Sequence, residues 1–536
     1  MSRALIDSGH YEEAEVCIVG AGIAGGIMAF ELARRGVKVL VLESGPRHDF
    51  RRRFEDMRQF LRGENPWRTL PPEMDRYTFS GSVPYFLDYN RARGVGGSSL
   101  GWEGYALRFH ANDFRMRSLY GVAEDWPITY EDLEPYYAAA ETALGVAGAQ
   151  DDPWGSFRSS SFPLPPFAFS YSDGMFARAC ERVGIVLHHL PQARNSVAYA
   201  GRSQCRACGT CNVCPTGAKA SVDLTHIPQA EATGNARVLT DATVLRLEVD
   251  RSSRVESVVY AGRDRREHRV SAPLFVIAAG AVETARLLLL SASESSPTGL
   301  ANANGLVGKY FMCHPVIDIT GRLPEKVYPY RVGFSTAMTR QFAVDRDRAR
   351  QGAFYLEFLN FPTDGQPEEL AVASGKWGEA LRRHVETEFG HTVGIRVYCE
   401  HLPDPRNSVA LNPQVKDHFA NAAPHITCNI GRPERATLAE AATVAKRILE
   451  AMGASRIQSS ELRLAAHQIG THRMGGDPRT SVVDSTLRAH DVPNLYLVGS
   501  GCLVTSSSSP PGLTTAALAI RASEHIASLG RRAAGA

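Results

Sequence analysis

Four consecutive apolar residues, Val16–Val19, form the kind of run that suits a parallel strand covered on both faces. A glycine-rich turn follows at once. Residues 23–35 then place apolar side chains at helical spacing, and Gly36 sits where a helix stops. A second apolar run, residues 37–42, ends in Glu43 and Ser44. The same succession returns later. Residues 236–249 alternate as strands do, and residues 274–290 read as a buried strand, a small-residue turn at 278–281 and a helix. Residues 394–400 and 408–412 alternate like half-exposed strands. Near the end, residues 514–528 are amphipathic, Ser509 suits an N-cap, and Pro510 and Pro511 suit a first turn. Strands alternating with helices predict an α/β fold with a parallel sheet.

The first turn carries chemistry. Gly20, Gly22 and Gly25 form G-x-G-x-x-G between strand and helix. Gly20 allows the tight turn, Gly22 lets backbone approach a pyrophosphate, and Gly25 lets helix and strand pack closely. The helix start at Ile23 and Ala24 offers free N–H groups and a positive dipole end to phosphate. Glu43 would accept hydrogen bonds from the adenosine ribose, which disfavours a 2′-phosphate. This unit predicts dinucleotide binding without separating FAD from NAD.

Composition narrows the class. Among 536 residues, 44% are hydrophobic and 22% charged, ordinary for a globular chain with room for two domains. A formal charge of +2 gives no reason to expect nucleic acid or an acidic membrane as partner. No run has the length of a membrane-spanning helix, and residues 1–15 lack the basic-then-apolar pattern of a secretory leader, so a cytoplasmic protein is expected.

Three distant stretches extend the site. Residues 91–104 hold Arg93, Gly96, Gly97, Ser98 and Ser99 in a glycine-rich loop able to lie against a planar ligand. The turn with Ala279 and Gly280 follows a strand, and Val244 can flank an adenine. The last stretch contains His467-Gln-Ile-Gly-Thr, then Gly499, Ser500 and Gly501, then Pro511, Gly512 and Leu513. Together with residues 125–128 and 305–315, these motifs resemble the glucose–methanol–choline (GMC) oxidoreductases over nearly the whole chain.

The resemblance implies a discontinuous, doubly wound, Rossmann-like FAD domain and a substrate domain with a mostly antiparallel sheet. On that pattern the FAD domain takes residues 12–170 (with a lid or loop region at about 50–95), 205–310 and 464–533. A substrate-side segment spans 171–204, and the substrate domain 311–463. It further implies oxidation of a primary or secondary alcohol of a small molecule, such as a sugar or a biosynthetic intermediate, with hydride passing to flavin N5. His467 would take the hydroxyl proton, since imidazole titrates near neutral pH. His472 is not a position the family uses regularly. Where relatives place Asn or His before the last helix, this chain has Pro510, which neither donates a hydrogen bond nor takes a proton. Ser508, Ser509 or a residue of the substrate domain would have to stand in. No histidine follows the Gly-Gly-Ser-Ser run before His110, so the FAD is expected to be non-covalent.

Cys205, Cys208, Cys211 and Cys214 share one loop ahead of Gly217-Ala-Lys-Ala-Ser221. Structural thiols without metal are the favoured reading, with an iron–sulfur cluster or zinc as alternatives. Two further readings of function stay open: an FAD-retaining lyase-like enzyme, and an electron-relaying dehydrogenase subunit. The electron acceptor, whether oxygen, a quinone or another carrier, is not specified by the residues.

Overall fold

A computed structural model describes residues 14–327, 333–344, 346–360 and 367–534. The reading of residues 1–15 therefore falls largely outside the described residues.

The parallel sheet is assembled from the whole length of the chain. Its five strands lie in the order Leu495–Leu497, Leu274–Ile277, Val16–Val19, Val39–Leu42 and Ala236–Leu239. Every pairing is parallel. Val16–Val19 sits at the centre, buried at all four positions, as its unbroken apolar run predicts. The second strand begins at Val39 rather than 37. The helix Ile23–Ala33 packs against the C-terminal helix Gly512–Ala534 and against His226–Ala232. Gly25 lets this helix lie close against the strand and turn that precede it, because a Cβ there would stand 1.9 Å from the carbonyl oxygen of Gly20.

A seven-stranded antiparallel sheet forms the second layer. Its central strands, Pro315–Arg322, Thr392–Cys399, Phe354–Leu359 and Ser335–Thr339, pair in that order. The helix Arg432–Ala451 covers one face through Leu438, Ala441, Val444, Ala445, Ile448 and Leu449, spaced for one helical stripe. The residues read as a half-exposed strand at 394–400 are instead almost all buried, since Thr392–Cys399 is a central strand with a helix over one face and an internal cavity against the other. Arg348 ties this layer to the first: fully buried, it donates to Glu400 at 2.7 Å and to Asp113 at 3.1 Å.

Candidate active site

A cavity of about 1410 Å³ runs between the two layers. That exceeds the roughly 300–1,000 Å³ of a pocket for a drug-sized ligand, leaving room for a dinucleotide and a substrate together. Three helices begin on it, at Ile23, Gly280 and Gly512. Three N-termini converging on one space favour negative charge there. Gly22 and Gly97 meet across the wall so closely that a Cβ on Gly97 would lie 2.7 Å from the Gly22 Cα. The buried Glu43 carboxylate accepts from the N–H groups of Ala21 (2.8 Å), Gly45 (2.9 Å) and Gly94 (3.1 Å). It therefore clamps three loops besides facing the cavity. The glycine cradle, the helix ends and the acid fit FAD.

Most of the residues singled out from the sequence line this space: Gly20, Gly22, Ile23, Ala24, Glu43, Ser44, Arg93, Gly97, Ser98, Ser99, Val244, Ala279, Gly280, Gly499, Ser500, Pro511, Gly512 and His467. Gly25, Gly96, Gly501 and Leu513 stand behind the wall. A Cβ on Gly501 would fall 1.9 Å from the His472 ring, so this glycine makes room for a packed histidine. Burial pulls the His472 pKa down to about 3, and its Nδ1 shares a hydrogen bond with the Thr471 hydroxyl.

The reactive end is set by strand pairing. Arg463–Leu464 pairs with Pro315 and Val316, and Met312 bridges to Ile469, which puts His314 opposite His467. Their Nδ1 atoms are 2.7 Å apart. His314 Nε2 faces the carbonyl oxygens of Ser507 (2.9 Å) and Ser506 (3.3 Å), which can only accept. Nε2 of His314 therefore carries the hydrogen. Its Nδ1 lone pair then accepts from Nδ1–H of His467, leaving Nε2 of His467 as a bare base. Burial lowers the pKa of both rings, His314 to about 4 and His467 well below 6.5, so both are neutral at pH 7. His314 was not singled out as a site residue: it is far from His467 along the chain, and its one signal was its place near the end of the 305–315 stretch that carries part of the resemblance.

Ser509 does not fill either role expected of it. The C-terminal helix starts at Gly512, and its first backbone bond runs from Thr515 N–H to the Pro511 carbonyl (2.9 Å), so the cap lies two residues beyond Ser509. Ser509 is buried with an unpartnered hydroxyl and does not line the cavity, whereas Pro510 does.

Beyond His467 the wall is polar. Asp318, Arg396 and Glu357 are cross-strand neighbours on three adjacent strands, so they share a face by alternation, and Tyr398 and Tyr355 form the next row. Arg396 donates to both Asp318 oxygens (2.7 and 3.0 Å), and Arg463 adds a third contact at 3.0 Å. Tyr398 stacks on His467 with centroids 5.7 Å apart and on Tyr355 at 4.8 Å. Burial and then the Glu103 carboxylate push the Glu357 pKa up to about 8, and Tyr105 donates to it. Glu103, Tyr105, Asp318, Arg396, Tyr398 and Arg463 all line the cavity.

The cysteine loop lies against the back of the 97–103 loop. Among the described residues no three His, Cys, Asp or Glu side chains gather closely enough to hold a metal. Cys211 and Cys214 are buried, Cys205 is half-buried and Cys208 is exposed, all as free thiols. Among the described residues no helix is long and apolar enough to cross a membrane.

Comparison with known proteins agrees with this geometry. Family models described as GMC oxidoreductase match residues 84–316 and 403–519, and one for an NAD(P)-binding Rossmann-like domain matches 18–48. The chain is 33% identical to the fructose dehydrogenase large subunit of Gluconobacter japonicus, over 96% of this chain and 97% of that one. It is 28% identical to 2-methyl-1,2-propanediol dehydrogenase of Mycolicibacterium austroafricanum, covering 96% and 95%. Identity to paromamine 6'-oxidase of Streptomyces fradiae is also 28%, covering 96% and 91%. The fold is shared with pyridoxine 4-oxidase from Mesorbium loti, at TM-score 0.64 and 17% identity over 96% of this chain and 99% of that one.

Proposed function

The chain belongs to the GMC oxidoreductase family and is an FAD-dependent enzyme of CH–OH donors, and we propose that it oxidises a polyhydroxylated small molecule with His467 as the base. One observation carries the reading: the His314–His467 pair, whose hydrogen bonds leave a neutral, bare Nε2 at the cavity. FAD, when bound, supplies the hydride acceptor. His467 takes the hydroxyl proton and so makes hydride departure easier. The imidazolium formed keeps its Nδ1–H on the His314 lone pair, which holds the ring in place through the step. The imidazole partner thus comes from behind the base and not from the Pro510 side.

Asp318, Arg396, Arg463 and Glu103 supply acceptors and donors for further hydroxyls, which suits a sugar, a polyol or an aminocyclitol better than a simple alkanol. The relatives named for fructose, a vicinal diol and paromamine support that class. Leu100, Gly101 and Trp102 offer no histidine for a covalent link, so acid precipitation should release the FAD intact.

The test is anaerobic. FAD-loaded protein is mixed with a ketohexose, a vicinal diol and an aminocyclitol glycoside, and the visible flavin band is followed. Bleaching by at least one, lost in an FAD-replete His467→Ala variant, is the expected result. FAD that stays oxidised with all three would reject the proposal and favour the lyase-like reading. Readmitting oxygen or a quinone to the bleached protein identifies the acceptor by which one restores the colour.

A further inference from the structure

The Gly217-Ala-Lys-Ala-Ser221 segment has a buried ammonium at its centre. Lys219 is 1% exposed, and its Nζ donates to three backbone carbonyls: Trp102 at 2.7 Å, Leu100 at 2.8 Å and Ser99 at 3.3 Å. All three belong to the loop whose Gly97, Ser98, Ser99, Gly101, Trp102 and Glu103 line the cavity. The chain around this segment holds the loop at other points. Val222 N–H donates to Ser99 Oγ (3.1 Å), Trp102 Nε1 to the Ala220 carbonyl (2.7 Å), and Asn212 Nδ2 to the Gly101 carbonyl (2.7 Å).

Among the described residues no carboxylate forms an ion pair with this cation. The nearest acid in sequence, Asp223, is bound to Arg53, itself buried. The other titratable neighbours are the Cys211 and Cys214 thiols, and burial lowers the Lys219 pKa to about 8, which leaves the amine protonated at pH 7. Lys219 does not itself line the cavity; it sits one peptide layer behind the wall. A lysine in that position does two things. It draws three peptide carbonyls back, so their negative ends point away from the site, and it leaves a positive charge that little water screens.

We propose that Lys219 is a positioning residue for the flavin: it fixes the 99–102 backbone and raises the midpoint potential of bound FAD by favouring the negative charge that reduction brings. The inference rests on FAD occupying this cavity, as proposed above, but not on the identity of the alcohol.

Three variants test it without any substrate. Midpoint potentials of the FAD-loaded proteins are measured by anaerobic equilibration with a redox dye. FAD affinity is measured by titrating the apoproteins, and circular dichroism checks the fold. Lys219→Met should shift the oxidised-to-reduced ratio at least tenfold toward the oxidised form, a fall of about 30 mV for a two-electron couple. It should also bind FAD more weakly. Lys219→Arg, which keeps the charge, should stay near the wild-type potential. A folded, FAD-loaded Lys219→Met at the wild-type potential overturns the proposal.

Asn212→Ala keeps the test decisive if Lys219→Met does not fold. It removes one tie on the loop and leaves the charge, so FAD should bind less tightly at an unchanged potential. A potential that falls in Asn212→Ala or in Lys219→Arg would mean that loop geometry alone sets it, and the proposal fails. A wild-type protein that takes up no FAD overturns both readings. One that takes it up but is bleached by no alcohol overturns only the proposed reaction.

Discussion

Replacing His314 by leucine removes the acceptor that holds Nδ1–H of His467 and leaves the base free to rotate and to exchange tautomers. The magnitude follows from that single hydrogen bond. Deleting one partner of a buried hydrogen bond costs about 1–3 kcal/mol. If that cost falls wholly on the transition state, at about 1.4 kcal/mol per decade, the hydride-transfer rate drops roughly 5- to 150-fold. FAD content should not change, because His314 touches His467, Ser506 and Ser507 and is absent from the cavity lining. The assay is the single-turnover rate of anaerobic flavin bleaching at saturating alcohol, which excludes product release and reoxidation. His314→Asn is the companion variant. Its Oδ1 can stand at about the position of the imidazole Nδ1 and accept His467 Nδ1–H, although the side chain is too short to replace Nε2 at Ser507. It should recover most of the loss. A leucine variant as fast as wild type, or an asparagine variant as slow as the leucine one with FAD in place, would refute the tautomer argument.

Gly25→Ala forces a methyl group onto the Gly20 carbonyl, so the protein should be purified without FAD and with a lowered thermal midpoint; an FAD-replete variant would contradict this. Arg348→Met strands the Asp113 and Glu400 carboxylates in the core and should cost about 3–5 kcal/mol in chemical denaturation at pH 7, an unchanged midpoint being the contrary result. Acid should also weaken the fold before most carboxylates titrate. His226 and His314 are held near 4 and His472 near 3 by burial, so the unfolded chain takes up protons below about pH 6.5 while the folded one does not. Stability then falls as the pH drops from about 6.5 toward 4, by up to about 1.4 kcal/mol per pH unit for each ring. A denaturation midpoint flat over that range would exclude it, and His472→Leu should lessen the slope.

The N-terminal unit was legible because local rules agreed there: an apolar strand, a glycine turn, a helical period and a closing acid all follow within about thirty residues. The Leu274–Ile277 strand and Gly280–Leu290 helix were legible for the same reason. His467 was found through the resemblance, not through any periodicity. His314, Asp318, Arg396 and Tyr398 were missed because they meet only through antiparallel pairing between distant strands, which no local pattern encodes. The helix start was misplaced at Ser509 because a serine before two prolines satisfies capping preferences equally well whether the chain turns there or a few residues later. The central strand at 392–399 was read as half-exposed because it carries Arg396 and Tyr398, which face a cavity and not bulk water.

The order of strands in the parallel sheet also constrains how the protein is made. Leu495–Leu497 pairs with Leu274–Ile277, so the sheet stays one strand short until residue 497 has left the ribosome. Until then Leu274–Ile277 presents an open, apolar edge, the kind of surface that recruits another chain. Long-range parallel pairing is slow in any case. Premature termination between the Leu274–Ile277 strand and residue 495 therefore yields a chain that holds the glycine turn yet cannot complete its sheet, and translation rate and chaperone supply, more than point stability, should govern soluble yield.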